Sequence, residues 1–361
     1  MNTKVNYKST ELVSIFSEKT GWNLARVRFL ILFLTAIIKC QTVSFSRLAT
    51  IFNGKVNPDS NLRRIQRFFA EFEFDDRMFS KIIFSLLPIE PPYRLSLDRT
   101  NWKFGKSDIN ILMISMCYFG MSIPILWTML PKRGNSNQEE RAELIKRFIS
   151  LYGIESIESI LADREFIGSD WFEMLNGEKI PFYIRIKQNM KIESKPGTIS
   201  YAYSFFRNLK LNQGLHKRKP VKINGKRIYL SGMRILNKNR EIEYVIVASS
   251  NYDKDSLSTY RDRWQTETLF KGLKSSGFNM EDTHVTDLKR LSKLISLVSI
   301  AYIWAYNVGI YKDAYIEPIK IKKHGRLQYS LFKYGLRFIE RALVCGVAAD
   351  IIIIVKILSC T

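Results

Sequence analysis

Tyr260-Arg-Asp-Arg-Trp-Gln-Thr-Glu-Thr-Leu-Phe-Lys-Gly-Leu-Lys274 is the stretch on which the reading of the whole chain turns. Its residues Tyr260, Arg263, Glu267, Lys271 and Lys274 step by three, four, four and three positions, so a helix stacks them along one face. Leu269, Phe270 and Leu273 fall on a different stripe that can pack inward. One carboxylate flanked by cations and a phenol suits a metal held beside phosphates. The same residues also read as a solvated helix with a Glu267–Lys271 pair at i, i+4. The flanking sequence has to decide between the two.

Immediately upstream, Glu243 to Ala248 is an apolar strand. Before it, residues 187–227 hold eleven basic side chains and one acidic one, Glu193, with Tyr201, Tyr203, Phe205 and Phe206 among them. Asn224-Gly225 marks a hairpin turn between Val221–Ile223 and Arg227–Leu230. The segment predicts a basic β insertion suited to a phosphate backbone, or else a solvated loop region whose charge aids solubility. Further back, Phe182 to Ile186 is a strand, and Ser159 to Asp163 is a short apolar strand ending on an aspartate.

Ile109 to Leu130 has no charged residue and is about long enough to span a bilayer. Gly120 and Pro124 interrupt it, so two buried strands, Ile109–Phe119 and Ile123–Leu130, account for it without a membrane. Tyr93 to Asp98 is a strand before them, turning at Phe104-Gly-Lys-Ser107, and Glu139 to Tyr152 is an amphipathic helix after them. Strand, strand, strand, helix, strand, with an acid ending the first and fourth strands, is the opening half of a ribonuclease-H-like α/β fold.

The flanks are helical. Arg26–Lys39 is a core helix, Ser46–Phe52 a short one, and Asn61–Phe74 a longer one capped by Pro58-Asp-Ser60 and carrying Arg63, Arg64 and Arg67 on its polar side. Helix, turn and arginine-bearing helix resemble a helix-turn-helix reader of DNA; a plain bundle with a basic face fits the same residues. Pro88, Pro91 and Pro92 mark a boundary. Downstream, Thr286 and Asp287 cap a helix from Leu288 to about Val308, with Leu288, Leu291, Leu294, Ile295, Val298 and Trp304 on its apolar face, and a basic segment leads to a last helical region.

The expected organisation is a helical DNA-binding region over 1–90, a catalytic core of mixed sheet flanked by helices over 91–190 and 243–285, a basic β insertion over 191–242, and a helical region over 286–361.

Composition narrows the partners. A formal charge of +22, from 56 Lys and Arg against 34 Asp and Glu, points to a polyanion. An apolar fraction of 46% excludes a disordered basic tail. Cys40, Cys117, Cys345 and Cys360 form no CxxC pair, which disfavours a zinc ribbon or disulfide framework and fits a reducing cytoplasm. His216, His284 and His324 are scattered, leaving carboxylates as ligands for a hard ion such as Mg2+.

Asp98, Asp163 and Glu267 stand on the first strand, the fourth strand and a late helix. Tyr260, Arg263, Glu267 and Lys274 fit the spacing Y-x2-R-x3-E-x6-K. With Leu-Asp98-Arg-Thr, the segment Ala-Asp163-Arg-Glu-Phe-Ile-Gly-Ser-Asp-Trp, Lys323-His-Gly-Arg and Ser330-Leu-Phe-Lys-Tyr-Gly, the chain resembles the DDE transposases of the IS-four family of bacterial insertion sequences over roughly residues 90–340.

That resemblance implies that Asp98, Asp163 and Glu267 bind two Mg2+ ions, for which Mn2+ can substitute. It further implies that Tyr260, Arg263 and Lys274 contact phosphates near the cut ends and that Trp264 takes a flipped base, or else packs in the core; Lys271, on the same helix face, is expected to bind DNA beside them. The implied enzyme is a nucleoid-associated cytoplasmic homodimer on double-stranded DNA, with no membrane, that binds terminal inverted repeats, cuts through a hairpin and joins the ends to target DNA. The alternatives are a ribonuclease-H-like nuclease without strand transfer and a non-catalytic DNA-binding relative. Glu165 competes with Asp163 as a ligand, Asp262 should point elsewhere on the helix, and Glu281, Asp282 and His284 read as a solvated loop rather than a metal cluster.

Overall fold

The computed structural model describes residues 13–359 apart from 15, 19, 74, 88 and 324; Phe74, Pro88, His324 and Cys360, weighed above, lie outside the described residues. The chain forms two compact units, one from Glu90–Asn101 with Asn110–Leu269, the other from Met1–Ile89, Trp102–Ile109 and Phe270–Thr361.

The first unit is built on a sheet. Its strands are β1 (Tyr93–Phe104), β2 (Ser107–Tyr118), β3 (Met121–Met129), β4 (Ile157–Ala162), β5 (Phe182–Ile186), β6 (Lys191–Lys195), β7 (Thr198–Tyr201), β8 (Gly214–His216), β9 (Val221–Ile223), β10 (Lys226–Leu236) and β11 (Ile242–Ser249). The order across the sheet is β3-β2-β1-β4-β5-β11-β10-β9-β6-β7, with β8 beside β10. β4 runs parallel to both β1 and β5, and β2–β3 and β5–β11 are antiparallel, as the ribonuclease-H-like reading requires.

The uncharged stretch after residue 108 is the expected pair of strands, with Ile109 to Met116 buried on both faces. Phe119 and Gly120 turn the chain at φ of 42° and 80°. Helix α5 (Gln138–Tyr152) starts at Asn137 through a reciprocal capping box with Glu140 and stops at Gly153, where φ is 80°, and α6 (Ser169–Gly177) lies between β4 and β5. In the insertion, Asn224 and Gly225 adopt the two positive φ values, 49° and 78°, of a type I′ hairpin. A Cβ on Gly232 of β10 would lie 2.6 Å from the Phe206 ring, so only glycine lets that ring seat against the strand.

Two expectations change. β1 does not end at Asp98: Thr100 and Trp102 are buried in alternation and carry the strand on to Phe104, so Asp98 sits mid-strand. The helix quoted at the outset is broken into α7 (Ser256–Arg261) and α8 (Trp264–Lys274). At the break, Asp262 N–H and Arg263 N–H donate three residues back, to Thr259 and Tyr260, in tightened turns.

The second unit contains α1 (Leu24–Cys40), α2 (Phe45–Phe52), α3 (Pro58–Glu71), α4 (Asp76–Ser85), α9 (Leu288–Tyr315), α10 (Leu331–Cys345) and α11 (Ala348–Ser359). α3 is capped by Asn57, whose side chain accepts from Asp59 N–H, with Pro58 as its first residue; it ends at Glu71, short of Phe74. Asp287 caps α9, accepting from Arg290 N–H. The apolar stripe expected on α9 is instead burial on nearly every side from Leu291 to Val308, because α1, α3, α4, α10 and α11 pack around it. Among the described residues α9 alone is, as a single helix, long and apolar enough to cross a membrane, and 83% of its most apolar window is buried in the protein. Its crossing with α10 is a glycine contact, since a Cβ on Gly335 would meet Ala305 O at 1.8 Å.

The α2–α3 connection is held by the buried amide of Asn61, whose Nδ2 lies 3.0 Å from Ala49 O, 3.1 Å from Asn53 O and 3.3 Å from Val56 O. Asn61→Ala leaves these carbonyls without that donor and is expected to cost about 1–3 kcal/mol of stability. An unchanged urea midpoint would show that the amide does not hold the turn.

Candidate active site

The parallel register of β1 and β4 pairs Ser96 with Leu161 and Leu97 with Ala162, which sets Asp98 level with Asp163, the first residue beyond β4. Two acids far apart in sequence thus face one another at adjacent strands. The Asp98 side chain is only 13% exposed and Asp163 is half-buried.

Glu267 is brought to them by α8. Leu269, Phe270 and Leu273 are buried, as expected. The first turn is pinned by three buried hydroxyls: Thr266 Oγ1 lies 3.2 Å from Ser115 Oγ and 3.1 Å from Ser122 Oγ, and Ser122 donates to Ser115 over 2.7 Å. With Thr266 fixed to β2 and β3, the neighbouring Glu267 is fixed in register. This trio escaped the sequence reading, because serines in an apolar strand carry no signal until their partner on the helix is known.

Arg263, at the helix break, ties the site together. Its Nη1 donates to Asp98 Oδ2 over 2.8 Å, its Nη2 to Glu267 Oε1 over 2.6 Å, and its Nε to Tyr260 Oη over 3.1 Å. The two carboxylates therefore lie within the span of one guanidinium. Burial alone would disfavour its charge, but Tyr260, Asp98, Asp163 and Glu267 together hold it more firmly protonated than usual. The Asp98 carboxyl is pushed up to about 6 by burial, with Asp163 and Glu165 adding repulsion; Arg263 and the Arg99 N–H, which donates to Oδ1 over 2.8 Å, pull it the other way. The Tyr260 phenol is pushed up to about 12, again chiefly by burial, so it is neutral at physiological pH.

The rival acids are otherwise engaged. Glu165 makes a two-pronged pair with Arg99, at 3.0 and 3.1 Å, and Asp262 turns to Arg94. Glu281 pairs with Lys274 at 2.9 Å, and the His284 ring packs 4.9 Å from that of Phe104. Lys271 is exposed on the last turn of α8, and Lys274 lies 5.7 Å from the Trp102 ring. Trp264 is 63% exposed rather than packed in the core. Arg63, Arg64 and Arg67 are exposed on α3, with Arg64 also lying over the Phe29 and Phe52 rings.

A cleft of about 370 Å³ opens beside Asp163, Arg263 and Glu267. Trp264 and Leu257 line it with Met233, Ile235 and Val245, while Arg164 and Arg261 bring further positive charge and Arg185 lies there paired with Glu243. These three arginines went unremarked in the sequence, because they join only through the folding of β4, β5 and α7 around one opening.

The donor set suits a hard divalent cation, since all three acids offer oxygen and Asp98 is a carboxylate short of positive charge. Among the described residues no three acids already converge on a common point, and Arg263 stands between Asp98 and Glu267.

Residues 90–304 match the transposase DDE domain family, which is more than half the chain and includes the sheet and all three acids. No curated protein matches at a significant level. A piggyBac transposase, solved by cryo-EM as a synaptic complex with hairpin DNA, overlays with a TM-score of 0.46 at 14% identity, over 94% of this chain and 78% of that one. The chain belongs to the transposase DDE domain family and is a DDE-type DNA transposase, a metal-dependent enzyme that cuts and joins DNA.

Proposed function

We propose that this transposase is of the IS-four type and acts on the terminal inverted repeats of a bacterial insertion sequence, excising it and joining its 3′-hydroxyls to target DNA. The observation that carries the reading is that one guanidinium reaches both Asp98 and Glu267 while Asp163 lies level on the next strand.

Asp98, Asp163 and Glu267 would hold two Mg2+ ions, with Mn2+ able to replace them. When bound, the ions supply Lewis-acid activation of the attacking oxygen and neutralise charge on the leaving oxygen, with no covalent protein intermediate. Arg164 and Arg261 draw the phosphodiester into the cleft. Lys271 and Lys274 extend the basic surface along α8. The exposed Trp264 ring offers a face on which an unstacked base can lie, as excision through a hairpin requires. Exposed Arg63, Arg64 and Arg67 on α3 serve end recognition, and pairing of two ends calls for a homodimer in the DNA complex. The enzyme would work on the nucleoid.

The test supplies the protein with a plasmid bearing the element's ends, Mg2+ and a separate target plasmid. Excision and a joined product are expected. Cut DNA with no joined product would leave a nuclease without strand transfer.

A further inference from the structure

The contacts of Arg263 carry a consequence beyond holding the site together. Its side chain is 8% exposed, and each nitrogen of the guanidinium donates once: Nη1 to Asp98, Nη2 to Glu267 and Nε to Tyr260. The oxygens it occupies, Asp98 Oδ2 and Glu267 Oε1, belong to two of the carboxylates a divalent ion would need, if the site is as proposed above. A guanidinium and a divalent ion cannot share these oxygens, because the N–H donors stand where the ion would approach and the two cations repel one another at that distance. We infer that Arg263 is a built-in competitor of the metal, filling the carboxylate pair in the absence of DNA and leaving it when a phosphate arrives.

The surroundings favour such an exchange. The cleft beside Arg263 carries Arg164 and Arg261, so an incoming phosphate is attracted to the guanidinium. A phosphate offers the same two-oxygen fork as the carboxylates. Arg263 also sits in the break between α7 and α8, outside the regular span of either helix. As phosphate takes the guanidinium, the vacated oxygens become available to the ion. Arg263 faces an anion at each stage, carboxylates first and phosphate afterwards, and acts as a positioning residue for the metal ligands.

Linkage makes the effect measurable without turnover: if DNA removes the competitor, DNA must tighten metal binding, and metal must tighten DNA binding by the same factor. The full-length protein is titrated with Mn2+ alone by calorimetry, then with Mn2+ in the presence of a short DNA duplex. Arg263→Gln is expected to bind Mn2+ about tenfold more tightly than wild type without DNA, within the usual range of coupling between sites. The duplex should tighten Mn2+ binding to wild type and do so far less in the variant. Arg263→Lys, which can reach one carboxylate but not span two, should fall between them, and it carries the test if the glutamine variant does not fold. Mn2+ binding that is unchanged or weaker in the folded variant without DNA would overturn the inference. Asp163→Asn separates this failure from a failure of the site itself: it should lose Mn2+ binding, and wild-type affinity there would mean that the metal does not sit on these acids.

Discussion

Asparagine at Asp98, Asp163 or Glu267 (as glutamine) is expected to cut strand cleavage by on the order of 10³-fold or more, the scale of losing a charge that stabilises the transition state, while binding to the element's ends stays largely intact. The amides are better probes than alanine. Asp98 accepts from Arg99 N–H and from the buried Arg263, so alanine would remove the charge and also strand a guanidinium that is 8% exposed. Asparagine keeps the volume and one of the two accepting oxygens, so it removes the charge a metal needs with less disruption than alanine. Nicking of a supercoiled plasmid carrying the ends measures the chemistry, and gel retardation without divalent ions measures binding. Full nicking by any one variant would remove that residue from the ligand set. Equal loss of nicking and binding would mean that the substitution has unfolded the site.

The largest stability effect is expected at the α9–α10 crossing. Gly335→Ala would place a methyl group 1.8 Å from Ala305 O and 2.4 Å from Gly309 N, and the atoms it meets are backbone, which cannot swing aside. The helices must separate, at a cost of about 3 kcal/mol, the upper part of the range for overpacking. Gly54→Ala is the control, because a Cβ there meets nothing within 4 Å and its φ is ordinary. Urea denaturation should show a clear loss for the first and almost none for the second. Matching midpoints would mean that the crossing is looser than the glycine contact implies.

What the sequence revealed about the fold was mostly local. The absence of charge from Ile109 to Leu130, the glycine at 120 and the Asn224-Gly225 pair each dictate a strand or a turn within a few residues, and those elements are present. The helix break at Asp262 was hidden because Asp262 pairs with Arg94, 168 positions away in the chain, while the helical periodicity of the segment continues across it. The ends of β1 were misjudged for a related reason: Asp98 looks like a terminus until Thr100 and Trp102 are known to be buried.

The site followed the same division. Spacing singled out Asp98, Asp163 and Glu267, and the rivals Glu165 and Asp262 have arginine partners. The partners of Arg263 were not legible, since a guanidinium can serve phosphate or carboxylate equally and only burial beside Asp98 decides between them. The hydroxyl contact among Ser115, Ser122 and Thr266 joins three elements, and no single segment announces it.

The packing of the long helix α9 has a bearing on how the protein comes into being. Lys293 Nζ donates to Phe69 O over 3.2 Å and Asn307 Nδ2 to Leu86 O over 2.8 Å, so α3 and α4 draw support from residues 224 and 221 positions further along the chain. A region ordinarily folds as it emerges from the ribosome; here α3 and α4 must wait until α9 has been made. A gene copy cut short by a premature stop ahead of residue 288 would consequently leave α1, α3 and α4 without the helix they pack against, and no stable fragment is expected from them.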